Sequence, residues 1–132
     1  MSTGAAPPVP TWLVIGSRAR ERENAIAAHL VPGVPSVIIL EGLSDGGSAL
    51  AFDPADNPDA INSLPQVLRI APGCLHCSGN LILRVTLNRV LRRPPARLYI
   101  SLASAEHLEL LRSWLSEAPY GGLLDLRSDI AA

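Results

Sequence analysis

Apolar residues in this chain fall into short unbroken runs set between stretches with a three-to-four-residue repeat, and that alternation predicts the elements. Residues 11–15 (Thr11, Trp12, Leu13, Val14, Ile15) form a continuous apolar run closed by Gly16, the pattern of a buried parallel strand ending in a turn. Residues 17–30 predict a helix with Ser17 as N-cap and Pro32-Gly33 as the stop; its first half, rich in Arg and Glu, is expected to be solvated. Residues 37–40 and 67–70 read as the second and third strands. Between them, residues 41–59 are rich in Gly, Asp, Pro and Ser, a long loop with a short strand expected over 49–52; connections of this length are usually functional or mobile.

Residues 80–93 predict a helix in which Leu83, Leu87, Val90 and Leu91 share one face, ended by Pro94-Pro95. Residues 97–101 read as a fourth strand. Ser104 then caps a helix running to about residue 117, with Leu108, Leu111, Trp114 and Leu115 as its buried stripe, and residues 123–126 supply a last strand. Residues 1–10, small and proline-rich, are a disordered or extended lead-in, which leaves 11–132 as a single domain. The order predicts an α/β fold: three layers, with a mostly parallel sheet and helices on both faces. Ligands of such sheets bind beyond the carboxyl ends of the strands, so the turns after Ile15, Leu40, Ile70 and Ser101 are the places to look.

Composition narrows the function classes. With 11 basic and 12 acidic residues the net charge is −1, which argues against nucleic acid or an anionic membrane as an obligatory partner. No apolar run reaches the length of a membrane span, and Cys74 and Cys77 are too close to staple a fold, so the expected setting is a soluble protein of the reducing cytoplasm. Every basic residue is arginine, so any mechanism that needs a lysine is excluded.

Candidate chemistry concentrates in residues 72–80, where Cys74, His76 and Cys77 lie within four positions beside Gly73 and Gly79. Thiolate and imidazole are the donors that zinc and other borderline divalent ions prefer. Three ligands leave a tetrahedral site open; water, a partner protein, a second chain, or Glu41, Asp45 or His107 would complete it, and an open position suits transfer better than a structural role. A redox reading would use the helix start at 78–80 to lower a thiol pKa, but the cis-proline strand of thioredoxin-like proteins is not recognisable. The arginines at 84, 89, 92, 93 and 97 read as the wet face of a helix, without interleaved aromatics for base stacking. His29 and His107 read as ordinary helix residues, Trp12 and Trp114 as core or core-edge side chains.

Gly73-Cys74-Leu75-His76-Cys77 resembles the Gly-Cys-x-Cys-Cys motif of the CobW-like P-loop GTPases, which include zinc-transfer proteins, with histidine where the middle cysteine stands. Residues 37–42 are similar to that family's second strand and acidic turn, and residues 98–104 occupy the place of its Glu-Thr-Thr/Ser-Gly turn. The resemblance implies a reduced P-loop NTPase-like fold and a truncated member of the family. Aligned from Gly16, the phosphate-loop pattern Gly-x-x-x-x-Gly-Lys-Ser/Thr meets Glu21, Arg22 and Glu23, so the second glycine and the magnesium-holding hydroxyl have become acids and the lysine an arginine. The implied function is a domain that has lost GTP hydrolysis and binds a metal ion, zinc by preference, for delivery to a receiving protein or for sensing. A nucleotide-binding protein with an atypical phosphate loop and an interaction module with incidental cysteines are the alternatives.

Overall fold

Among the described residues nine elements follow one another: β1 (Val9–Ile15), α1 (Ala19–His29), β2 (Ser36–Glu41), β3 (Gln66–Ile70), α2 (Leu81–Val90), β4 (Arg97–Ser101), α3 (Leu108–Ser116), β5 (Leu124–Leu126) and β6 (Ile130–Ala131), with short 3₁₀ turns at Ala105–His107 and Tyr120–Gly122. The structure, a computed structural model, describes residues 7–31, 33–42, 65–70, 81–117 and 120–132, without the side chains of Leu81 and His107. The strands pair in parallel in the order β3-β2-β4-β1-β5, and β6 adds to the end of β1.

Strand alternation decides what each face buries. Val9 and Leu13, Val37 and Ile39, Leu98 and Ile100, and Leu124 pack on one face with Leu83, Leu87 and Val90 of α2 and Leu111 and Leu115 of α3. Val14, Ile38, Leu40 and Tyr99 take the other face, where Ile26 of α1 meets them. Three layers result, as the alternation of elements predicts. Each fully buried aliphatic side chain contributes about 1.5–3 kcal/mol, so the centre of the sheet outweighs any single surface contact.

Chain direction explains which helix covers which face. From β1 the chain moves outward to β2 with α1 on one face; from β3 to β4, and from β4 to β5, it moves the opposite way with α2 and α3 on the other. Right-handed crossovers demand that reversal of face. The two directions diverge between β1 and β4, which are hydrogen-bonded neighbours, and their carboxyl ends form the switch point where doubly wound sheets open a crevice.

Several boundaries differ from the sequence expectation. Val9 and Pro10 belong to β1, paired with Leu124 and Asp125, so the lead-in expected over residues 1–10 is too long. The N-cap of α1 is Arg18 in place of Ser17, whose hydroxyl contacts the Glu21 carboxylate at 3.3 Å instead. A 3₁₀ turn precedes α3, with Ser104 Oγ accepting from the Glu106 N–H at 3.1 Å. The charged first half of α1, expected in solvent, buries Arg22 and Glu23 to 4% and 3% exposure. The short strand expected over 49–52 lies outside the described residues.

Candidate functional site

β1 ends at Ile15 and α1 begins at Ala19, so only Gly16, Ser17 and Arg18 make the first turn of the carboxyl rim. Gly16 is there because of close approach: a Cβ on it would lie 2.9 Å from Ala132 Cβ and 3.1 Å from Arg22 Cγ. One helical turn on, Arg22 points back beneath this turn. Its NH1 donates to the Gly16 carbonyl at 2.8 Å and its Nε to Ser101 Oγ at 2.9 Å. Gly16 follows β1 and Ser101 closes β4, so one guanidinium ties the two strands that flank the switch point.

Neighbouring strand ends contribute similarly. Glu23, next to Arg22, contacts Arg69 of β3 at 3.4 Å. Glu41 ends β2, and its Oε1 accepts from the Ala103 N–H at 2.8 Å, 62 positions along the chain. Isolated charges at 3–4% exposure would be strongly destabilising, and these hydrogen bonds and ion contacts are what permit them. Beside these sheet ends lies an open crevice of about 440 Å³, lined by Ile15, Gly16 and Ser17 after β1, by Ala103, Ser104 and Ala105 after β4, and by Ala131 and Ala132 at the end of β6. Ile15 apart, its side chains are small, so backbone groups and two hydroxyls supply its polar lining.

The sequence-derived sites divide accordingly. Gly16, Arg22 and Glu23, singled out as the altered phosphate loop, are brought to one end of the sheet. Cys74, His76 and Cys77 lie outside the described residues, as does Asp45, and the His107 side chain is not described. Glu41 is described: the register sets it opposite Ile70, whose carbonyl accepts from the Gly42 N–H at 2.9 Å, so it adjoins the point where the cysteine segment leaves β3. Among the described residues, no three His, Cys, Asp or Glu side chains gather as a metal site, and no helix is long and apolar enough to cross a membrane.

Two groupings escape the sequence reading. Ser101 and Arg69 anchor Arg22 and Glu23; the available signal was Arg69 itself, a charge on the α1-facing side of a strand, which requires a partner across the layer. Farther down the same face, Tyr99 and His29 Nδ1 are 2.7 Å apart, Trp12 stacks on Tyr99 with ring centres 5.1 Å apart, and Arg97 reaches the Tyr99 hydroxyl at 3.2 Å. Burial first, and the nearby Arg97 charge second, hold the His29 pKa below its ordinary 6.5. Compared with protein-family models, curated proteins and solved structures, the chain has no significant match.

Proposed function

We propose that this chain is a CobW-like domain that has lost GTP hydrolysis and binds a metal ion, zinc by the character of its donors, through Cys74, His76 and Cys77, for delivery or sensing. One observation carries the loss of nucleotide chemistry: Arg22, at the position of the family's lysine, is turned inward onto the Gly16 carbonyl and Ser101 hydroxyl. Helix α1 already starts at Ala19, so its first turn stands where a phosphate loop would have to wrap. A cradle of free backbone N–H groups needs that length of open loop.

The metal half of the reading rests on donor chemistry and on where the cysteine segment departs. Two thiolates and an imidazole favour zinc over magnesium or calcium, and their deprotonation makes binding strengthen with rising pH. Among the described residues, the candidate fourth ligand Glu41 ends a strand opposite Ile70. Its Oε1 already accepts from Ala103, so ligation through that oxygen would give up a hydrogen bond, which favours water or a receiving protein in the open position.

Cobalt titration tests the metal site, because thiolate-to-cobalt charge transfer reports sulfur ligation directly. The wild-type chain should develop that absorption and retain stoichiometric zinc, and a Cys74→Ser, Cys77→Ser variant should do neither. A wild-type chain without the absorption refutes metal binding, leaving the interaction-module reading. Separately, GTP titration should show no saturable binding, and micromolar affinity would overturn the proposed loss of nucleotide chemistry.

A further inference from the structure

At the opposite, amino end of β2 and β3, a depression of about 360 Å³ opens between the sheet and the end of α2. Val37, Leu68 and Val90 give it an apolar lining, and Gln66, Arg89, Arg92 and Arg93 complete it. The size falls within the range of small-molecule sites, and an apolar floor with a few convergent polar groups is their usual composition.

These three arginines differ from six of the others in what they touch. Arg22 is bonded to Ser101, Arg69 contacts Glu23, Arg112 pairs with Asp129 and Arg127 with Asp125, while Arg84 and Arg97 lie over the rings of Trp114 and Trp12. Among the described residues, Arg89, Arg92 and Arg93 have no carboxylate or ring partner. Lining one depression, they bring like charges close together, which is unfavourable without an anion between them. The negative end of α2 accounts for a basic residue in its last turn, but Arg92 and Arg93 lie beyond Val90, the end of the helix. The surrounding sequence deepens the imbalance: between Asp59 and Glu106 there is no acidic residue.

We propose that this depression binds a small phosphorylated molecule, its phosphate held by Arg89, Arg92 and Arg93 and its apolar part seated on Val37, Leu68 and Val90. Each guanidinium presents a planar fork of donors that matches phosphate oxygens, and three forks supply more donors than one carboxylate can accept. The site lies at the other end of the sheet from the switch-point crevice and does not depend on the metal reading.

Calorimetric titration of the full chain with phenyl phosphate, inorganic phosphate and citrate tests the assignment. Phenyl phosphate should bind saturably and more tightly than inorganic phosphate, with affinity falling as salt rises. Arg92→Gln with Arg93→Gln should weaken it about tenfold or more, equivalent to ~1.4 kcal/mol, without lowering the ligand-free melting temperature. Arg18→Gln, which removes another arginine without a carboxylate or ring partner at the opposite end of the sheet, should leave binding unchanged. In the wild-type chain, phenyl phosphate should move the backbone amide resonances of Val37, Gln66 and Leu68, a readout independent of any variant. Absence of those shifts, an equal loss with Arg18→Gln, or citrate binding as tightly as phenyl phosphate would each overturn the proposal.

Discussion

Replacing Arg22 by methionine keeps most of the aliphatic stem and removes the two donors that tie Gly16 to Ser101. Arg22 is 4% exposed, and its bonds of 2.8 and 2.9 Å are made by a charged donor. Hydrogen bonds of that kind contribute about 1.5–3 kcal/mol each, and the acceptors left behind, including a Ser101 hydroxyl at 1% exposure, cost a further ~1–3 kcal/mol if water cannot reach them. Against this, methionine avoids burying a charge, which recovers several kcal/mol. The balance is a loss of about 2–4 kcal/mol, or roughly 10 °C in melting temperature for a chain of this length. Urea denaturation followed by circular dichroism gives the first figure directly. A double-mutant cycle with Ser101→Ala isolates the contact and should return a coupling of about 1–2 kcal/mol. An Arg22→Met chain within ~0.5 kcal/mol of wild type, with no coupling to Ser101, would refute the idea that this side chain holds the two strands at the switch point.

Acid should weaken the fold through His29. Its folded-state pKa lies below 6.5, so the unfolded chain takes up the proton more readily; the stabilisation is fully present above 6.5 and is lost as pH falls below it. Urea midpoints at about pH 7.5 and about pH 5.5 should therefore differ by more in wild type than in His29→Gln, and equal differences would remove His29 as the cause. Gly16→Ala should cost about 1–3 kcal/mol by thermal melting, since the new methyl group would stand 2.9 Å from Ala132 Cβ and 3.1 Å from Arg22 Cγ. Unchanged stability would mean that the turn relaxes freely.

The α/β class, the strands at residues 37–40, 67–70 and 97–101, and the buried positions Leu83, Leu87, Leu111 and Leu115 follow from the sequence alone. The reason is local: a strand buried on both faces must be apolar throughout, and a helix lying on a sheet must repeat its apolar residues every three to four positions. Strand order is a different kind of property. Nothing in residues 97–101 says that β4 inserts between β2 and β1, because that depends on which pairings bury the most surface together. The same limit hid the buried polar contacts at the carboxyl ends of the strands. Arg22 and Glu23 sit in the most charged stretch of the chain, where local chemistry predicts solvent, yet the fold lays α1 on a face of the sheet and buries both. Their partners, Ser101 and Arg69, stand 79 and 46 positions away, and no periodicity within a window of one helix can register a contact made across that distance. The sequence by itself determined the layers and the residues inside them; only the tertiary structure decided which charges could be buried, because burial of a charge is set by a partner that folding must first bring near.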